Sequence, residues 1–495
     1  MKVNSPSARQ HKRPPILKWL WGLCFAAGAV ALLVAAFYLE ENWRGRWASN
    51  HFKRDWEARG ERFDLAAFVP APVSDQENFL KAPLLEAWLY QKPRDVEPQP
   101  LIQVRGFESG VWQEGRPTDL REWRRLFGFD TGQVGNEDSI LSAAQVLQAF
   151  SPFDSELKEL YAAANERPRA RFDFDYSDPY DGDDAPNHMA LRALAQSLAM
   201  HASAALASGQ SQVAWQDVHA MLRLADTLQD QHSLVSGMMR VAMVGLTLQP
   251  VWEGLASQRW EERQLAPLQK QLGTLDLRRD VADCLRSERA VINHWLETSR
   301  RDRLLELFGP KPKGQPSREE QILDWTLRYG PRGWIYQNEL AVNRHFQEFQ
   351  LALRTGNQLR FSVDPNSEGM DLLYGKPNPY NVLARLVTPN LARAIQTARK
   401  NQTALDQAVL ACALERHQLA FGSFPQKLDA LSPQFINRIP DGGFNVEYRR
   451  GNGNQIALIP TAAAGLDQVS GKSWASAGAV RQKRDGWVWQ YPAIK

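Results

Sequence analysis

The apolar positions of this chain first concentrate in one uninterrupted run near its N-terminus. No charged residue occurs between Trp19 and Leu39, a stretch of 21 residues. At about 1.5 Å per residue, such a helix crosses the roughly 30 Å hydrocarbon layer of a bilayer. Tryptophans near both ends, Trp19 and Trp43 among them, suit the two headgroup layers. The run therefore predicts a transmembrane helix over 19–39.

The charges around this run predict its orientation. Residues 1–18 contain five basic side chains, and no acidic residue occurs among the first 39. The positive-inside rule then makes 1–18 a cytoplasmic basic tail and predicts that everything after Leu39 is translocated. The predicted location is the bacterial inner membrane, with a single pass and a periplasmic bulk. A signal peptide cleaved after Val34-Ala35-Ala36 is the alternative, although the apolar run exceeds the usual length of about 7–15 residues.

Residues 40–135 predict a juxtamembrane helix followed by an extended, wrapping segment. Aromatic residues recur every four or five positions over Asn42–Phe63, which indicates an amphipathic helix. It either lies along the membrane surface or packs as a stalk on the main domain. Prolines then punctuate the chain around one short helix near Phe79–Tyr90.

A helical domain is predicted over 136–354. Apolar residues recur at three- and four-residue spacing through Met189–Ala207 and Val213–Leu228, and Ser208-Gly209-Gln210 separates the two segments. This pattern predicts a helical hairpin with a small-residue face. The same periodicity predicts further helices, which are Glu137–Phe150, Ser155–Asn165, Val235–Ala256, Trp260–Leu272, Leu277–Phe308 and Glu319–Phe349.

The remainder is predicted as a loop over 355–379 and a small α+β module over 380–495. A long helical pattern runs from Tyr380 to Phe421, and Pro389 should kink or split it. Three short strands follow, with an Asn-Gly turn between the first two. They are Phe444–Arg450, Gln455–Pro460 and Gly486–Tyr491. The predicted fold class is mainly α, an irregular helical bundle or helix-pair domain with a short antiparallel sheet.

Composition narrows the function classes. The chain of 495 residues has 43% hydrophobic and 23% charged residues, which is ordinary for a globular protein. A net charge of +3 gives no reason to expect nucleic acid as a partner. The three cysteines are too few for a disulfide scaffold or a four-cysteine zinc module. Cys284 and Cys412 either pair or remain as two buried thiols.

One acidic cluster is a candidate metal site. Six aspartates fall within twelve residues, which is costly unless a cation or hydrogen-bond donors neutralise them. Calcium is the metal that such oxygen ligands suit. The alternative is a solvated loop in which Asp183 or Asp184 caps the helix beginning near Asn187. The candidate ligands are Asp173, Asp175, Asp178, Asp181 and Asp183.

The histidines do not form a recognisable catalytic or zinc motif. His345 and Glu348 lie one helical turn apart, and His201 and His219 are predicted to face each other across the hairpin. The chain lacks His-Glu-x-x-His, a nucleophile elbow, a phosphate-binding loop and a dinucleotide fingerprint. No cofactor is predicted, and the catalytic residues of any enzymatic activity stay unknown.

The chain shows two resemblances to known proteins. The segment from Gln402 through Phe421-Gly422-Ser423-Phe424-Pro425 to Leu431 resembles the helix-to-loop region of type II secretion pseudopilins, in which a small sheet follows. Arg13-Pro14-Pro15-Ile16 stands where pseudopilins have their processing site, which argues against a pilus subunit. Over its length the chain resembles a group of uncharacterised bacterial single-span envelope proteins. The matching stretches are Glu41–Gly45, Phe63–Ala66, Arg332–Asn338 and Asn378–Asn381.

The leading hypothesis is a non-enzymatic, membrane-anchored envelope protein that acts by protein–protein interaction near a secretion or pilus-like system. Its expected partners are the lipid bilayer and other envelope proteins. One alternative is a metal-dependent or other envelope hydrolase that uses the acidic loop at 173–184. Another is an accessory subunit of a larger membrane complex, held through Asn42–Phe63.

Overall fold

The computed structural model describes residues 15–89, 111–121, 139–173, 175–176, 187–231, 233–308, 316–354, 375–388, 391–440, 446–451, 455–460 and 489–491. The chain divides into two compact units. The smaller unit is formed from 1–61, 293–344 and 368–388, and the larger unit from the rest. Each unit therefore combines segments that are distant in the sequence. Helix dominates both, as the predicted fold class requires.

The smaller unit is helical where it is described. Its first helix is continuous for 43 residues, about 65 Å at 1.5 Å per residue. The helices that lie wholly within the unit are α1 (Pro15–Glu57), α10 (Arg301–Phe308), α11 (Arg318–Tyr329) and α13 (Val382–Val387). The C-terminal part of α9 (Leu277–Thr298) and the N-terminal part of α12 (Arg332–Arg354) complete it.

The larger unit has a core of packed helices. Its remaining helices are α2 (Pro83–Leu89), α3 (Ser139–Phe150), α4 (Asp154–Glu166), α5 (His188–Ala207), α6 (Ser211–Asp226), α7 (Leu234–Ala256), α8 (Glu262–Gly273) and α14 (Leu391–Phe421). The predicted hairpin is α5 with α6, and α7 packs against both. Gly209 takes a φ of +75° at the turn, which glycine adopts at little cost. Alanines fill the buried faces, so the helices approach closely.

The C-terminal strands form the predicted antiparallel sheet in the order β1 (Val446–Arg450), β2 (Ile456–Pro460) and β3 (Trp489–Tyr491). Tyr448 lies opposite Leu458, and Leu458 lies opposite the buried Trp489. Helix α14 supports the sheet, because Gln407 Nε2 donates to the Leu458 carbonyl at 2.9 Å. The predicted α+β module is therefore present in the larger unit.

Two helices predicted as continuous are broken. The pattern over Glu319–Phe349 predicted one helix, but α11 ends at Tyr329 and α12 begins at Arg332. The cause is Pro331, which disfavours helical backbone in the residue before it, and Gly330 is extended at ψ 154°. The predicted helix over Leu277–Phe308 is likewise divided between Thr298 and Arg301. The split predicted at Pro389 is confirmed, since α13 ends at Val387 and α14 begins at Leu391.

Two described helices are long and apolar enough to cross a membrane. One is the N-terminal helix, whose most apolar window is not buried at all. The other is α7, whose corresponding window is 67% buried in the larger unit. Length and composition alone therefore do not distinguish 19–39 from α7 among the described helices. Burial separates the two, because α7 already places most of its apolar surface in a protein core.

The two cysteines considered for a disulfide are both buried free thiols. Burial raises the pKa of Cys284 and of Cys412 to about 12. Cys284 packs against Gly237 of α7, where a Cβ would lie under 3.0 Å from its sulfur. These thiols act as small apolar residues in the core.

Candidate functional site at the junction of the N-terminal helix

The structure describes part of the acidic cluster. Asp173 is exposed, and its carboxylate lies 3.7 Å from Lys81 Nζ. Asp175 is also exposed. Asp178, Asp181 and Asp183 lie outside the described residues. Among the residues that the structure does describe, no three His, Cys, Asp or Glu side chains are grouped as a metal site would require.

The helix after this cluster is capped differently from the prediction. Asp183 or Asp184 was expected to cap it, but Asn187 is the N-cap of α5 and accepts from Ala190 N at 3.2 Å. An asparagine amide oxygen satisfies one of the free N–H groups of the first turn. The aspartates are therefore not needed to begin α5.

The predicted approach of His201 and His219 is wrong. His219 Nδ1 lies 3.0 Å from Gln271 Oε1, whereas His201 Nδ1 lies 2.8 Å from Asp217 Oδ2. The two rings belong to adjacent antiparallel helices but extend toward different neighbours. His345 is fully buried, and loss of solvation lowers its pKa to about 4. It is a neutral core histidine at physiological pH.

A buried Tyr–Asp–His network links three helices of the larger unit. Tyr161 Oη donates to Asp217 at 2.5 Å, and His201 contacts the other carboxylate oxygen. Burial opposes charge on His201, but the Asp217 carboxylate outweighs it and raises the pKa of the imidazole. Phe150 packs on the ring at 4.7 Å. In a catalytic triad, an aspartate orients the histidine and the imidazole faces a nucleophilic hydroxyl. In this network the hydroxyl is the Tyr161 phenol, which binds the Asp217 carboxylate and not the imidazole. The network fastens α4, α5 and α6 together.

A surface groove of about 460 Å³ lies elsewhere in the larger unit. It carries charges of both signs, including Arg223 and Asp226. The Arg223 guanidinium donates to the Arg167 carbonyl at 2.8 Å, and Asp226 pairs with the buried Arg240 at 2.8 Å. Arg223 and Asp226 therefore contribute to holding the fold through these contacts.

The most distinctive arrangement lies in the smaller unit, just beyond the apolar run. Glu41 is only 4% exposed. Its carboxylate accepts from Trp334 Nε1 at 3.0 Å and from Tyr380 Oη at 3.1 Å, and it forms an ion pair with Arg44. A buried carboxylate is tolerated when donors satisfy it in this way. Three segments that are distant in the sequence therefore meet at one side chain.

A pair of glycines brings the two helices together beside Glu41. A Cβ on Gly333 would lie under 3.0 Å from the backbone of Glu41 and Asn42, and a Cβ on Gly45 would meet the Gly333 backbone in the same way. The amide of Gly333 donates to Asn42 Oδ1 at 2.7 Å. The contact is thus backbone against backbone, which only glycine permits.

Asn338 joins the third segment to this contact. Its amide donates to the carbonyls of Trp334 at 2.7 Å and Pro379 at 2.8 Å. Its oxygen accepts from the amides of Leu383 at 2.9 Å and Ala384 at 3.1 Å. The side chain thereby caps the first turn of α13, and both polar ends are satisfied.

A partly buried ion cluster fixes the C-terminal end of α1. Lys53 Nζ lies 2.6 Å from Glu297 and also pairs with Glu339, which is 1% exposed. Burial raises the pKa of Glu339 to about 7, although Lys53 acts in the opposite direction. Burial also opposes charge on Lys53, but the two carboxylates outweigh it and raise the pKa of the ammonium. One cation serves two carboxylates, and the more buried carboxylate ionises less readily.

The opposite face of α1 is exposed. Trp43 and Trp47 are 68% and 52% exposed. Their rings stack at 6.4 Å, and Trp47 stacks on His51 at 5.1 Å. We call Trp43, Trp47 and His51 the aromatic stripe. The amphipathic helix predicted over Asn42–Phe63 is present but ends at Glu57, and its buried face packs as a stalk in the smaller unit.

The junction formed by these contacts is suited to attachment rather than to bond chemistry. Its carboxylates are paired with cations or hydrogen-bond donors. In the sequence, these stretches are distinguished only by their resemblance to envelope proteins, and no motif in them predicts a site residue. A usable signal was the position of charges among apolar residues, such as Glu339 before Leu340-Ala341-Val342. No family model, no curated protein and no solved structure matches the chain.

Proposed function

We propose that this protein is anchored in the bacterial inner membrane by α1, with a cytoplasmic N-terminus and a periplasmic bulk, and that it acts by protein–protein interaction. The observation that carries the proposal is the continuity of α1. None of the most apolar part of the helix is buried, and the same helix continues without a break into the segment that packs on α12. The junction makes the unit a rigid extension of the anchor.

The aromatic stripe supports the second part of the proposal. Exposed aromatic rings are enriched where proteins bind partners, because they bury a large area at a small entropic cost. The stripe begins four residues after Leu39, so an anchored protein carries it immediately above the membrane surface. The partner is therefore a protein of the same membrane, for which α1 offers a helix face.

Topology is tested with a reporter that is active only outside the cytoplasm, fused after Lys495. A signal is expected, because α1 directs the chain beyond Leu39 across the membrane. Activity of a cytoplasm-only reporter at the same position would reverse the proposed orientation.

Interaction is tested by photo-crosslinking in cells with the full chain. A benzoylphenylalanine replaces Trp47 in one variant and the exposed Arg263 of the larger unit in the control. We expect a protein adduct in the membrane fraction from position 47 and none from position 263. Adducts at both positions, or only lipid adducts at position 47, would refute the proposed interaction face.

A further inference from the structure

Helix α11 of the smaller unit exposes two large aromatic side chains on one face. Trp325 and Tyr329 are four residues apart, so they lie one above the other on the helix. They are 51% and 62% exposed. The two exposed rings together form a small aromatic surface on α11.

Contacts with α1 place this face beside the end of the apolar run. Tyr38 Oη donates to the carbonyl of Tyr329. The ring of Phe37 packs on Trp334 at 6.2 Å, and Trp334 packs on Trp325 at 5.3 Å. The C-terminal end of α11 is thus level with the last turn of 19–39.

We infer that Trp325 and Tyr329 lie in the headgroup layer of the bilayer and anchor the smaller unit to the membrane surface. This inference rests on the proposed membrane anchoring of α1. If Tyr38 lies at the edge of the hydrocarbon layer, an exposed ring at the same level must meet lipid headgroups. Tryptophan and tyrosine are the residues enriched there, since their rings are apolar and their N–H and O–H groups stay hydrated.

Backbone carbonyls at this end of α11 have hydrogen-bond donors within the protein, which suits a position in the headgroup layer. A helix terminus leaves free carbonyls, which are costly where water is scarce. Arg301 donates to the carbonyls of Leu327 at 3.4 Å and Gly330 at 2.7 Å.

The test measures depth with nitroxide labels on the full chain in nanodiscs of phosphatidylethanolamine and phosphatidylglycerol. Cys24→Ala removes the exposed thiol, and the two remaining cysteines are buried. Three single variants carry the label, namely Leu33→Cys in the apolar run, Tyr329→Cys in α11 and Asp55→Cys on exposed α1. Power saturation compares the accessibility of each label to oxygen and to a water-soluble nickel chelate.

We expect the nickel accessibility of the label at 329 to be at least about threefold below that at 55, with oxygen accessibility between those at 33 and 55. Trp325→Cys, labelled in the same way, should give the same depth. Nickel accessibility at 329 equal to that at 55 would overturn the inference while anchoring stands. Protection of 329 from both reagents would also overturn it, because a second copy or another protein would then cover α11. A label at 33 that reads as water would instead refute the anchoring itself.

Discussion

Replacing Gly333 with alanine should open the junction between α1 and α12. The new Cβ would lie under 3.0 Å from backbone atoms of Glu41 and Asn42, which cannot rotate away. An ordinary contact needs about 3.5 Å, so the helices must separate by on the order of 1 Å. That shift would stretch the 2.7 Å hydrogen bond from Gly333 N to Asn42 Oδ1 past its useful limit of about 3.2 Å.

The expected cost combines overpacking, the lost hydrogen bond and the change in helix propensity. Overpacking costs about 1–3 kcal/mol, and the lost hydrogen bond adds about 1 kcal/mol. The higher helix propensity of alanine offsets about 1 kcal/mol. The net loss of about 1–3 kcal/mol should speed local opening by about 5- to 160-fold.

Amide hydrogen exchange of the full chain in detergent measures this opening. Amides of α1 near Glu41 should exchange faster by the stated factor, while amides of α5 should be unchanged. Gly273→Ala is the matched control, because a Cβ there meets nothing within 4 Å. Exchange near Glu41 within twofold of the wild type would refute the close backbone contact, and with it the rigid junction.

Three further substitutions test other parts of the structure. Glu339→Gln should flatten the pH dependence of stability. A pKa raised to about 7 in the native state contributes stability that is fully present below about pH 4.5 and is lost as pH rises through 7. The melting-temperature advantage of wild type over variant should therefore shrink from pH 5 to pH 8. Arg240→Met should cost about 3–5 kcal/mol in denaturant titrations, because it leaves the buried Asp280 at 2.8 Å without its cation; a change under 1 kcal/mol would contradict this role. Val409→Ala should cost about 1–3 kcal/mol by the same titration, since Val409 is 5% exposed, and no loss would mean that the site repacks freely.

The local features of the chain were predictable from sequence. The helical hairpin, the division of the helix at Pro389 and the three strands result from periodicity, proline and turn residues, each of which acts within a few residues. The pairing of Tyr448 with Leu458 was also predictable, because alternation places both on one face of the sheet. The helical backbone of α1 and its apolar run were predictable for the same reason, since both depend on neighbouring residues.

The sequence was less informative where one residue changes a helix boundary. The apolar pattern over Glu319–Phe349 runs through Pro331 and predicts one helix, but α11 ends just before this proline. The acidic cluster illustrates the same limit at a candidate site. The metal site that its density suggests stays a prediction, and the partner of the exposed Asp173 is Lys81, which is 92 positions earlier in the chain.

Most helices, the strands and the apolar run are thus encoded locally, because backbone propensity and periodicity act between near neighbours. The burial of charges and the choice of their partners depend instead on how distant segments pack. Glu41 contacts Trp334 across 293 positions, and Lys53 contacts Glu297 across 244. Such contacts produce no periodic pattern in the sequence. A glutamate on a solvated face and a glutamate held by buried donors are the same residue type, so the sequence does not distinguish them. Burial and the partner together decide its chemistry.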